Sequence, residues 1–171
     1  PVIGLTPTPF RLDKIGLGAH FGEIIVAARS RELVNQGYIV EPRILCPNKI
    51  DIGKLKISRG GEFNIDSPTF QKSLADLCGD MLQEWITHAW GMCTVAFVPS
   101  VEFSKQMVAK FQQAGISAEH LDGTTPAHER DAILKRLAEG ITTIVFNVNV
   151  LTEGWDLPGL QCLLAASPTM S

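Results

Sequence analysis

A hydroxyl, a glycine and a carboxylate stand close together in Thr152-Glu153-Gly154-Trp155-Asp156. Thr152 offers a donor and acceptor, Gly154 lets a ligand approach the backbone, and the Asp156 carboxylate can accept two hydroxyls of a ribose. The same residues also describe a polar turn closed by Leu157-Pro158-Gly159, and that reading stays open at this point. Two further places offer similar groups: Pro99-Ser100, and Leu121-Asp122-Gly123-Thr124-Thr125. Hydroxyls, glycine backbone and helix amino ends are what a phosphate chain needs where lysine and arginine are scarce. Taken singly, Ser100 and Thr125 read better as helix N-caps, and it is the three loops on one edge that point to a site. Groups that break bonds are missing. Gly53-Lys54 is followed by Leu55, so there is no G-x-x-x-x-G-K-[ST] loop, and no strand ends in an Asp-Glu pair able to hold magnesium. His20, His88, His120 and His128 have no metal spacing and read as surface or core filler, and Ser100 lacks a G-x-S-x-G surround. This inventory argues against a self-sufficient enzyme.

The elements that would position these groups alternate. Thr143-Ile144-Val145-Phe146-Asn147-Val148 is almost continuously apolar and β-branched, as expected of a strand covered on both faces of a parallel sheet. Thr94 to Val98 and Leu160 to Ala166 are further strands, and Ile116 to Leu121 is a weaker one. Between them, Ser100 caps a helix with Met107, Val108, Phe111 and Ala114 on its apolar face and Gly115 as its stop. Thr125-Pro126 opens another helix, carrying Ile133, Leu134 and Leu137 as far as Gly140. This alternation predicts an α/β fold with a right-handed parallel sheet flanked by helices, whose carboxyl edge gathers all three loops. Upstream, Asp66-Ser67-Pro68 starts a helical pattern running to Ala89, with Gly79 a point of division. Ser30 caps a helix through about Gln36 with Gly37 as stop. Val2 to Leu5 and Arg43 to Cys46 read as short strands, and 49–65 is an irregular insertion or small hairpin.

Fifteen Lys and Arg against eighteen Asp and Glu give a net charge of −3, so any nucleic-acid partner must be met by a local groove rather than a general basic field. Cys46, Cys78, Cys93 and Cys162 are widely spaced and lie in or beside apolar segments, which suits reduced core thiols in a cytoplasmic protein. No apolar run reaches the ~18 residues that span a bilayer, and no membrane partner is expected.

In chain order, four stretches resemble motifs of superfamily two DNA helicases, in the branch of DEAD/DEAH-box-like phage and bacterial helicases and type III restriction motor subunits. Gly4-Leu5-Thr6-Pro7-Thr8-Pro9-Phe10-Arg11-Leu12-Asp13 resembles motif III, and Ala96-Phe97-Val98-Pro99-Ser100 resembles motif IV. His120 to Pro126, continuing to Arg130, resembles motif IVa, and Val150-Leu151-Thr152-Glu153-Gly154-Trp155-Asp156 resembles motif V. The resemblance implies a RecA-like (P-loop NTPase-type) second helicase domain spanning 43–171 and stopping before motif VI. Residues 1–9 would close the first RecA-like domain, and 10–42 would connect the two. It implies ATP and Mg2+ as cofactors, with the metal ligands outside this chain, and as partners DNA, with RNA not excluded, and the first RecA-like domain. By the same resemblance Gly154 and Asp156 meet the nucleotide. Ser100, Gly123, Thr124 and Thr152 touch the strand's phosphates or hold the loops that do, and Thr6 and Thr8 couple nucleotide state to grip. Arg130 touches the strand or anchors its own loop. The pattern departs from the family at Pro7, where alanine is usual and where proline removes a backbone donor.

Overall fold

The computed structural model describes residues 3–6, 17–45, 81–151 and 155–166. Their packing divides them into a unit within residues 1–46 and a unit within residues 47–170. In the first, a single 3-10 turn at Leu17–Ala19 is followed by helix α1, Ser30–Asn35. Arg29 rather than Ser30 takes the N-cap position, and the Glu32 carboxylate accepts from its N–H at 3.1 Å. Gly37 follows with φ +77. The strands expected at Val2 to Leu5 and Arg43 to Cys46 are absent from the described residues of those segments: Ile3, Leu5 and Ile44 are 86%, 96% and 80% exposed in irregular backbone. A β-branched run becomes a strand only when a neighbour completes its ladder, and none of the described residues pairs with either segment.

The second unit is a four-stranded, wholly parallel sheet. Helix α2 is described over 81–89. It precedes β1 (Thr94–Phe97), α3 (Val101–Gln113), β2 (Ala118–Leu121), α4 (Ala127–Ala138), β3 (Ile144–Asn147) and β4 (Cys162–Ala165). Strand order is β2-β3-β1-β4. From β1 onward the predicted helices and strands are present, trimmed by a residue or two at their ends, whereas the insertion or hairpin expected at 49–65 and the first part of the helical pattern, 66–80, lie outside the described residues.

Period-two alternation sorts the strand side chains to two faces. Ala96, Ala118, Ile144 and Phe146 face one way and pack with Met81 and Trp85 of α2 and Phe103, Met107 and Phe111 of α3. Val95, Leu121 and Val145 face the other way, against Ile133 and Leu137 of α4 and Leu151. The chain thus leaves β1 over one face to reach the edge strand β2 and returns over the opposite face to β3. Reversing direction while keeping a right-handed crossover requires that change of face.

Register aligns the site. Thr94, Ala118, Ile144 and Cys162 are level across the ladders, so Phe97, Leu121, Asn147 and Ala165 are level at the other end. All loops that follow the strands therefore leave from one edge. Helix stops fall on the opposite edge, where Gly91, Gly115 and Gly140 have φ between +73 and +79, a left-handed turn that glycine adopts without strain. An aromatic row locks α2 and α3 to β3. Trp85 lies 5.6 Å from Phe111, and Phe111 lies 5.1 Å from Phe146, both edge-on. The Trp85 indole N–H donates to Thr94 Oγ1 at 2.9 Å, which satisfies a polar atom that burial would otherwise strand.

Candidate functional site

Three loops leave the carboxyl edge, and each is held differently. After β1, Ser100 is the N-cap of α3, its Oγ accepting from Phe103 N–H at 3.2 Å. That contact uses an oxygen lone pair and leaves the hydroxyl proton free to donate, so capping and ligand contact are compatible in one side chain. Ser100 is half-buried at the helix amino end, where the macrodipole favours an anion.

After β2, the chain turns at Asp122-Gly123-Thr124-Thr125 before α4. The buried Asp122 carboxylate organises this turn. Its Oδ1 accepts from Thr124 N–H at 2.8 Å and from Thr124 Oγ1 at 2.7 Å, and its Oδ2 lies 2.9 Å from His120 Nε2. Thr125 Oγ1 accepts from Asp122 N–H at 3.1 Å, so this hydroxyl braces the turn, while Pro126 takes the N-cap position of α4. The Thr124 hydroxyl and then His120 hold the Asp122 carboxyl well below the usual carboxylate range, against the opposing effect of burial. Both donors of Thr124 are thereby committed to Asp122. Gly123 is exposed at the tip of the turn, and among the described residues its N–H has no acceptor.

Sequence reasoning passed over the residues behind this turn. His120 is not filler. Its Nδ1 lies 2.6 Å from Ser104 Oγ, which also donates to Phe146 O at 3.2 Å. The spacing of His120 and Asp122, two apart at a strand end, puts both side chains on one face and was the available signal. On the opposite face, Glu119 receives a bidentate fork from Arg136, at 3.0 Å from Nε and 2.5 Å from Nη2, together with the Thr142 hydroxyl. Arg136 first, and Thr142 with it, hold the Glu119 carboxyl below its ordinary value. Arg136 also reaches Glu129 at 2.8 Å, which ties α4 to β2. Arg130 is partly buried with its Nε unpartnered among the described residues.

After β3, the fully buried Asn147 turns the chain. Its Oδ1 accepts from Val150 N–H at 3.0 Å and Leu151 N–H at 2.9 Å, and Asn149 sits at φ +53, a left-handed conformation that asparagine tolerates. Asn147 too was read only as part of a strand. Further along, Trp155 and Leu157 pack against the α4 side of the core while Asp156 between them is exposed. Two apolar neighbours thus anchor a carboxylate that faces water.

Of the expected site residues, the structure brings Ser100, Gly123 and Thr124 to the carboxyl edge, and Asp156 lies in the segment that follows β3. Thr6 is exposed in the first unit. Thr8, Thr152 and Gly154 lie outside the described residues. Among the described residues no three His, Cys, Asp or Glu side chains come together as a metal site, and no helix is long and apolar enough to cross a membrane.

A parallel sheet with helices on both faces and its loops level at one edge is a RecA-like architecture. Residues 77–171 match the family described as helicase conserved C-terminal domain, and the chain belongs to that family, as a superfamily two helicase C-terminal domain. It is similar to a protein of a Lactococcus phage described as a 51.5 kDa protein, 31% identical over all of this chain and 37% of that protein. It is also similar to a putative mitochondrial ATP-dependent helicase, irc3, of Schizosaccharomyces pombe, 30% identical over 95% of this chain and 27% of that protein. The chain therefore spans about a third of the curated relatives it matches. Among solved structures, S. cerevisiae Dbp5 bound to RNA and ADP BeF3 matches 57% of this chain and 25% of that one, at a TM-score of 0.50 and 24% identity, a likeness of fold.

Proposed function

We propose that this chain supplies the second motor half of an ATP-dependent helicase or translocase, contributing one wall of the ATP cleft and part of the surface that holds a nucleic-acid strand. The observation that carries this reading is the level carboxyl edge, where the capping Ser100 and the tip Gly123 present donors and Asp156 follows on the next loop. In the proposed arrangement the Asp156 carboxylate accepts the ribose hydroxyls, with Gly154 beside it. Ser100 Oγ–H and Gly123 N–H donate to strand phosphates, Thr124 holds the turn that presents Gly123, and Thr152 completes the grip. Contacts of this kind go to the backbone of the strand, so sequence preference is weak; the proposed partner is DNA, as the resemblance implies, and RNA offers the same phosphates. Thr6 and Thr8 couple the nucleotide state to that grip.

ATP with Mg2+ supplies the free energy of the cycle when bound between this domain and the first. In this reading Asp156 is the ribose acceptor, and the magnesium ligands belong to the first domain, as the resemblance implies. Its own part is to bind nucleotide on one side, bind strand on the other, and change relative position as the cleft closes and opens.

The test is Asp156→Ala in the full-length protein. Losing two charge-assisted hydrogen bonds should weaken nucleotide binding about tenfold or more, measured by calorimetry, while strand affinity without nucleotide is retained. Unchanged nucleotide affinity together with unchanged ATPase would overturn the reading in favour of a non-catalytic binding domain of the same fold.

A further inference from the structure

Ser104, His120 and Asp122 form a continuous chain of hydrogen bonds that joins α3 and β2 to the Gly123 turn, outside the contacts assigned to the nucleotide. It starts on α3 at Ser104, which is fully buried, passes through the imidazole on β2, and ends on the carboxylate at the root of the Gly123 turn. The Ser104 hydroxyl also touches Phe146 O of β3, so three elements meet at one side chain. The order Ser, His, Asp invites a hydrolytic reading, which the burial of Ser104 excludes because no substrate could reach its oxygen.

Proton positions follow from the partners. Asp122 is acceptor-only when ionised, so Nε2 carries a hydrogen toward it. Its other carboxylate oxygen is occupied by the N–H and hydroxyl of Thr124. Among the described residues the imidazole's hydrogen-bond partners are the Asp122 carboxylate and Ser104 of α3, whose hydroxyl also reaches the Phe146 carbonyl of β3.

Beyond the function proposed above, and resting on it, we infer that His120 is a positioning residue for the strand grip: by bridging Ser104 to Asp122 it fixes the turn that presents Gly123 N–H. The need for it is electrostatic as well as steric. An ionised carboxylate one residue from a phosphate-binding amide would repel the phosphate. Saturating both its oxygens with donors, one of them the imidazole, draws its charge inward and leaves the Gly123 amide as the exposed group.

Two near-isosteric replacements separate the halves of the bridge in the full-length protein. A Gln side chain reaches as Nε2 does, so His120→Gln keeps a donor for Asp122 and gives up Ser104. Asn reaches only as Nδ1 does, so His120→Asn keeps Ser104 and gives up Asp122. The expected result is that H120N weakens binding of a single-stranded oligonucleotide about tenfold and speeds hydrogen exchange in the peptide 119–127, while H120Q stays near wild type in both. Thermal melting of each variant shows whether affinity merely follows stability. Wild-type affinity and wild-type exchange in H120N would overturn the inference, as would equal losses in the two variants tracking their melting temperatures. If wild type itself binds no oligonucleotide, yet exchange at 119–127 still separates H120N from H120Q, the positioning holds and the strand-binding reading is what fails.

Discussion

At the scale of the residue, Asp122 is the group whose chemistry is most altered by folding. Its carboxyl is held far below the ordinary range by Thr124 and His120. A depressed folded pKa contributes stability that is fully present above the unfolded value, about pH 4, and is lost as pH falls through the folded value. Wild type should therefore lose stability steeply below about pH 4, and Asp122→Asn should be less stable at neutral pH but flatter across the acid range. Urea unfolding midpoints measured from neutral pH down to acid check this. Some slope remains in the variant because Glu119, lowered by Arg136, acts with the same sign. A parallel slope in the two proteins would contradict the assignment. Little of this was legible in the sequence. Asp-Gly-Thr-Thr read correctly as a loop with donors, but whether a hydroxyl points to a ligand or back to its own turn depends on the partner, and Thr124 points back. His120 was misjudged because its partners are 16 residues away on α3 and two away just past the end of its own strand, and only the first of those contacts is set by the fold.

At the scale of the element, α3 carries the most interior of the helix faces. Phe111 is fully buried between Trp85 and Phe146, so Phe111→Ala should cost about 3–5 kcal/mol, read by chemical denaturation with an unchanged slope. Val101→Ala, at a position 36% exposed in the first turn of the same helix, should cost well under about 1 kcal/mol. Comparable losses at both sites would mean that α3 is not anchored through its aromatic side. Helices were legible here because periodicity and stop signals are local: Ser100 before α3 and Gly115 after it do in space what their chemistry dictates. Strands were legible only where the sheet completes them. Ile144 to Asn147 and Val2 to Leu5 look alike on paper, and the first is fully buried while Ile3 and Leu5 stand in water. Strand order could not be read at all, because nothing in the sequence says that β1 pairs with β3 rather than β2.

At the scale of the molecule, the chain spans 37% of its phage relative and 27% of the fission-yeast one, and the cleft we propose needs a second wall. Phosphoryl transfer draws most of its rate from metal ions and arginine fingers. The 171-residue chain alone should accordingly show no strand-stimulated ATPase above background, whereas the full-length protein should; a phosphate-release assay on both decides, and activity in the isolated chain would contradict the division of labour. The two edges of the sheet are divided as well. Each described helix of the second unit hands over to its strand through a left-handed glycine at Gly91, Gly115 or Gly140, on the edge opposite to Ser100 and Gly123. For engineering, that edge is the attachment side: a fluorophore or surface tether joined beside Gly115 or Gly140 would ride on the motor without touching what it grips.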